Sequence, residues 1–136
     1  ALGTDGLPVV AYTSGPAGLS QPVMKVLKCA TAACNASTAI SVVDSSISVA
    51  APAIAVPSDG LPVIAYRVSG QLNSLKCGNA NCTAGNVASV LDGGPGSASY
   101  LSIAVLPGGV PVIAYNDDLA DDLFVYVCAT AACRAP

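Results

Sequence analysis

An all-β fold built from three like units is the prediction, and three observations carry it. The first is a phrase that recurs: Asp5-Gly-Leu-Pro-Val-Val-Ala-Tyr12, Asp59-Gly-Leu-Pro-Val-Ile-Ala-Tyr66 and Gly108-Gly-Val-Pro-Val-Ile-Ala-Tyr115. The second is a Cys-x4-Cys pair after each copy: Cys29/Cys34, Cys77/Cys82 and Cys128/Cys133. A period of about 50 residues is the mark of a repeat architecture. The third is punctuation. With 10 prolines and 13 glycines at repeated spacing, no stretch of ten or so residues holds a 3.6-residue period without a breaker, so helices are not expected.

The second unit is complete and reads strand by strand. Pro52 to Pro57 holds the apolar run Ala-Ile-Ala-Val. Ser58-Asp59-Gly60 follows as a turn, because Gly accepts a positive φ at no steric cost. Leu61 to Tyr66 is the second strand, with Pro62 near its start, where a missing N–H is tolerated. Val68-Ser69-Gly70-Gln71 turns the chain into a third strand, Leu72 to Cys77. The loop Cys77 to Asn86 leads to a fourth, Val87 to Leu91, and Asp92 to Ser99 connects to Tyr100–Val105, where the pattern restarts.

Four strands joined by hairpins and one longer connector are the grammar of a β-propeller blade. Strands such as Pro-Val-Ile-Ala-Tyr do not alternate between apolar and polar, so both of their faces need cover. The third strand, as in Val23–Lys28, is more mixed and is expected nearer the rim. The expected architecture is therefore β-propeller-like: about three four-stranded blades, the first and last incomplete, each with one disulfide. A Greek-key sandwich is the rival fold, but it gives no reason for a repeat. The units run over about 1–48, 49–97 and 98–136, as a single repeat domain or a fragment of a longer array. Ala1-Leu2 aligns with Ala55-Val56, and only Arg134-Ala-Pro136 follow Cys133. Propellers close with about four to eight blades. Self-association, or neighbouring repeats of a longer chain, is expected to cover the open edges.

At this point the residues resemble a known group. The succession D-G-L-P-V-I-A-Y, L-x-x-L-K-C-x4-C and V-x-x-V/L-D is similar to the highly repetitive secreted repeat proteins of many bacterial genomes. That resemblance covers nearly the whole chain and implies propeller-type blades and secretion. It implies no particular activity.

Composition narrows the function. Apolar residues make up 53% of the 136 and charged residues only 10%. Even so, the longest apolar run, Ile47 to Val56, is about half the roughly 20 residues of a membrane-spanning helix, so no membrane span is expected. A net charge of −3 argues against nucleic acid, whose phosphates call for a basic face. With no histidine in the chain, Ser-His and Cys-His relays and imidazole metal sites are excluded. No catalytic residue is nominated, and a non-enzymatic role in structure, assembly or surface adhesion is expected. Paired Cys29/Cys34, Cys77/Cys82 and Cys128/Cys133 read as a disulfide framework. Zinc is the competing reading, but it needs four ligands at one point. Disulfides imply an oxidising compartment, secreted or at the cell surface.

Binding, if any, belongs to the loops that differ between units. The segment from the recurring Tyr to the first Cys spans 17 positions in unit one (Tyr12 to Cys29), 11 in unit two (Tyr66 to Cys77) and 13 in unit three (Tyr115 to Cys128). Unit one spends its length on Thr13 to Pro22. Unit three spends it on an acidic loop with Asp117, Asp118, Asp121 and Asp122, which could hold Ca²⁺ through oxygen ligands. The plainer reading of that loop is a solvated hairpin tip. No other cofactor is expected. A glycan or protein ligand at the variable loops is the alternative function, as in a lectin-like module. Asn35-Ala-Ser37 and Asn81-Cys-Thr83 fit the N-glycosylation pattern, although Asn also favours turns. Tyr12, Tyr66 and Tyr115 are expected to pack between units with their hydroxyls bonded. Tyr100 and Tyr126 fall outside that pattern.

Overall fold

The computed structural model describes residues 1–15, 21–46, 48–93 and 98–134, and Thr38 by its backbone alone. Ten strands and no helix are found among them: β1 (Val9–Ser14), β2 (Val23–Cys29), β3 (Ser37–Asp44), β4 (Val49–Ala55), β5 (Val63–Val68), β6 (Gln71–Lys76), β7 (Val87–Asp92), β8 (Ala98–Val105), β9 (Pro111–Asp117) and β10 (Asp122–Val127). They form three antiparallel sheets, ordered β1-β2-β3, β4-β5-β6-β7 and β10-β9-β8. Leu2 adds a single bridge to Pro8 beside β1. The chain is thus all-β with one sheet per recurring phrase, and the three sheets do not close into a ring.

The recurring phrase builds the same corner each time. Gly6, Gly60 and Gly109 donate their N–H groups to the carbonyls of Gly3, Pro57 and Leu106, and all three have positive φ, 74°, 74° and 81°. A side chain there would be strained. A Cβ at Gly60 would also lie 3.0 Å from Thr4 Oγ1, and one at Gly109 3.2 Å from Ser58 Oγ. Thr4 and Ser58 occupy the same place in successive units. The glycine therefore turns the chain and lets the preceding unit approach.

The edge strands β4 and β8, each the first of its unit, carry a bulge at one shared place, Ala50/Ala53 and Ser99/Ser102. Ala51 and Tyr100 inside these bulges take left-handed φ values of 52° and 50°. An extra residue in one strand bends it and raises its twist.

The sheets stack face to face, and the period-2 geometry of a strand explains how. In β5, Ile64 and Tyr66 point toward the first sheet and join Val9, Met24 and Val26 in one core cluster. Val63 and Ala65 point the opposite way and join Ala98, Ile113 and Tyr115 in a second cluster. Both faces of the middle sheet are covered, which is why its central strand is apolar at every position from Val63 to Tyr66.

The third strands of units one and two are more buried than their mixed composition suggests, whereas β10 of unit three is largely exposed. Met24, Val26 and Lys28 of β2 are buried, as are Asn73, Ser74 and Lys76 of β6. Their polar atoms find partners inside the fold. Asn73 Nδ2 donates to the Gln71 carbonyl at 3.0 Å, and Ser74 Oγ donates across sheets to the Cys133 carbonyl. Burying such groups costs little once they are bonded.

Each Cys-x4-Cys segment closes a disulfide: Cys29–Cys34, Cys77–Cys82 and Cys128–Cys133, with Cα–Cα distances of 5.0, 4.8 and 4.8 Å. No cysteine is free. The second cysteine in every pair takes a left-handed φ, and its N–H donates to the carbonyl three residues back, that of Thr31, Asn79 or Thr130. A bridge across so short a loop stabilises by about 2 kcal/mol on chain-entropy reasoning. Three such bridges belong to an oxidising, extracellular environment.

Candidate functional site

The recurrent polar feature of the fold lies between sheets. The Tyr66 hydroxyl donates to Asp44 Oδ2 at 2.7 Å, and the Tyr115 hydroxyl donates to Asp92 Oδ2 at 2.7 Å. In both cases the carboxylate ends the fourth strand of one unit and the tyrosine belongs to the second strand of the next. Register explains the aim. Asp44 stands opposite Met24 and Asp92 opposite Leu72, so each carboxylate shares the face that meets the following sheet. Burial, and then the hydrogen-bonded Asp44, push the Tyr66 phenol well above its ordinary value; burial and Asp92 do the same at Tyr115. For Asp44, burial works to raise the carboxyl, but the Ser46 and Tyr66 hydrogen bonds outweigh it and hold the group below the usual range. The sequence reading places these tyrosines between units with bonded hydroxyls. Their partners were missed, though the V-x-x-V/L-D segment recurs in step with the tyrosine. Tyr12, the third of the set, is half-buried and has no carboxylate partner among the described residues.

A second repeated pair holds the corner. Lys28 Nζ donates to Asp5 Oδ1 at 2.7 Å and to the Leu7 carbonyl at 3.3 Å. Lys76 Nζ donates to Asp59 Oδ2 at 2.7 Å and to the Leu61 carbonyl at 2.9 Å. Each aspartate also accepts from the backbone N–H two residues on. The Lys28 hydrogen bond, followed by the Leu7 N–H, lowers the Asp5 carboxyl. At Asp59 burial opposes the shift, and Lys76 with the Leu61 N–H overcomes it. In unit three the aspartate is replaced by Gly108 and the lysine by Val127. Both partners are missing together, as expected if a buried ammonium is tolerated only beside its carboxylate. The Asp-Gly turn is therefore structural.

The acidic loop is the hairpin between β9 and β10. Asp117 Oδ1 accepts the Leu119 and Ala120 N–H groups at 2.8 and 3.2 Å, and Asp118 Oδ1 accepts from Ser99 Oγ and from Asn116 Nδ2 at 3.1 Å. Asp121 takes a left-handed φ of 52°. Asp117 and Asp118 thus serve the turn and the adjoining strands, and among the described residues no three acidic, Cys or His side chains come together around one point. The sequence reading brought Asp117, Asp118, Asp121 and Asp122 forward as a Ca²⁺ loop. Two of them, Asp117 and Asp118, make turn and strand contacts.

The rest of the variable end is only partly described. Of the Thr13–Pro22 loop, residues 16–20 lie outside the described residues, and so do residues 94–97 of the connector. Tyr100 stands at that end beside Ser99 and is 87% exposed, whereas Tyr126 is half-buried. Both candidate sequons flank the second cysteine of a pair, Asn35 just after Cys34 and Asn81 just before Cys82. Asn35 Oδ1 accepts from Thr31 Oγ1 at 2.6 Å, and the Asn81 carbonyl accepts from Ser41 Oγ at 3.1 Å. Among the described residues no helix is long and apolar enough to cross a membrane. No protein-family model matches the chain, and no curated protein matches it in sequence.

Proposed function

We infer that the chain is a non-enzymatic extracellular scaffold of propeller type, resembling the secreted bacterial repeat proteins, which acts in structure, assembly or surface adhesion. The observation that carries this reading is the recurrence of one interface. Ile64 and Tyr66 pack on the first unit as Ile113 and Tyr115 pack on the second, and the same Tyr–Asp bond closes both. An interface that repeats adds units indefinitely until geometry closes the ring. The polar groups in the core are engaged in holding sheets and corners. The disulfides suit an oxidising exterior.

The test is to express arrays of four to eight tandem copies of unit two and image them by negative-stain electron microscopy. Compact rings at one copy number are expected. Extended rods at every length would refute the propeller reading.

A second reading has one observation in its favour. Tyr100, 87% exposed, stands at the variable-loop end beside the acidic hairpin, where an aromatic face could stack on a sugar ring or an apolar side chain. The role would then be lectin-like or protein-binding. A glycan array probed with the wild-type chain and with Tyr100→Ala decides it: binding lost in the variant supports recognition there, and no binding by either removes it.

A further inference from the structure

Unit three turns toward solvent the face by which units one and two each grip their successor. In unit two that face includes Leu72, Ser74 and Lys76, which are 1%, 1% and 8% exposed beneath unit three. The register places Leu123, Val125 and Val127 at the same positions, opposite Asn116, Ala114 and Val112 as Leu72, Ser74 and Lys76 stand opposite Arg67, Ala65 and Val63. They are 70%, 60% and 59% exposed. A solvated end of a repeat stack calls for a polar outer face. Here the change runs the other way: the serine and the lysine of unit two become valines in unit three. The aspartate that would pair with that lysine is gone as well, replaced by Gly108.

The far end of the molecule carries the matching half. Val10, Tyr12 and Leu27 of unit one hold the register that Ile64, Tyr66 and Leu75 hold where unit two covers unit one. Ile64 is fully buried, but Val10 is 43% exposed. The two open faces are therefore complementary halves of an interface that already occurs twice inside the chain.

We propose that the exposed face of unit three takes the unit-one face of a second copy of this chain, head to tail, in the packing that joins units one and two. This rests on the stacking reading given above and names its partner. Contact between the copies runs through β1 and β2, since unit one brings only the Leu2–Pro8 bridge where the others bring a full first strand, β4 or β8. The interface is heterologous, so two copies close as a ring if the rotation permits and otherwise propagate.

Sedimentation and light scattering of the 136-residue chain test this from about 1 µM to about 1 mM, a range reaching down to the Kd of weak standard-size interfaces. Mass is expected to rise from that of one chain to that of two or more. Val125→Asp and Val10→Asp are each expected to remain monomeric, and an equimolar mixture of the two is expected to give a one-to-one complex, because one intact pair of faces survives. Circular dichroism and a thiol count confirm folding; should Val125→Asp not fold, Leu123→Lys carries the same expectation. A wild-type chain that is monomeric throughout would overturn the proposal. So would Val10→Asp associating like the wild type, which means that pairing does not need the unit-one face, or Val125→Asp doing so, which means that pairing does not need the unit-three face. Tandem arrays that form rings while this chain stays monomeric would sink the proposal and leave the scaffold reading standing.

Discussion

The Tyr66 hydroxyl meets Asp44 Oδ2 at 2.7 Å across the boundary between the first two sheets, and Tyr115 meets Asp92 in the same way one unit later. A tyrosine in an apolar strand needs a partner for its one polar atom, and the neighbouring unit supplies a carboxylate at the end of its last strand. The bond thus ties adjacent sheets together at the same point of each unit. Tyr66→Phe should destabilise the chain by about 1.5–3 kcal/mol, the usual contribution of a hydrogen bond to a charged group. Tyr12→Phe should change stability by less than about 0.5 kcal/mol, since this half-buried tyrosine has no carboxylate partner among the described residues to lose. Urea denaturation of the two variants, followed by circular dichroism, makes the comparison.

The Lys76–Asp59 pair predicts non-additivity. Asp59→Gly alone leaves a buried ammonium with only the Leu61 carbonyl and should cost about 2 kcal/mol, less than a fully buried pair because Asp59 is itself partly exposed. Adding Lys76→Val, which reproduces the combination found in unit three, should recover most of that loss. A double-mutant cycle by urea melts measures the coupling, and additive effects would contradict the account.

Glycine at the corner answers to two demands, and the repeat separates them. At Gly6 there is no atom within 4 Å of a built Cβ, whereas at Gly60 the Thr4 side chain lies 3.0 Å away; φ is 74° at both. Gly6→Ala should cost about 1 kcal/mol from the left-handed backbone alone. Gly60→Ala should cost more, because Thr4 must also shift. Equal thermal midpoint losses in the two variants would mean that the approach of the units at this corner carries no energy.

Stability should fall in two pH windows. The carboxyls of Asp5, Asp44 and Asp59 are held below their ordinary 3.8 in the folded chain. They therefore favour folding above about pH 4, and that contribution is lost as acid protonates them below it. The phenols of Tyr66 and Tyr115 are raised above 10.0. Their contribution is complete below pH 10 and lost above it, where the unfolded chain ionises first. Ultraviolet titration of tyrosinate against circular dichroism checks the alkaline arm. Part of the tyrosine signal should appear only as the fold is lost.

Much of the fold was legible because strands and corners are local. Prolines and glycines punctuate the chain, apolar runs set strand positions, and the cysteines lie five residues apart. What pairs across units was not local. Asp44 bonds a tyrosine 22 positions on, and nothing in its neighbours Val43 and Ser45 points there. The joint replacement of Asp59 and Lys76 by Gly108 and Val127 was visible as a coincidence, but only the structure makes it one interaction. The polar side chains of β6 look rim-like in composition because sequence cannot show that their partners are backbone groups and the Asp59 carboxylate. The contacts of the acidic hairpin were hidden for the related reason that Ser99, which donates to Asp118, lies 19 positions away.

The central claim is that the middle sheet is covered on both sides, with alternate residues of β5 serving opposite neighbours. Nuclear Overhauser contacts among side-chain protons test it directly. Ile64 and Tyr66 should show contacts to Met24 or Val26, and Val63 should show contacts to Ile113 or Tyr115. Contacts running the other way, from Val63 to Val26 or from Ile64 to Ile113, would contradict the stacking on which every other inference depends.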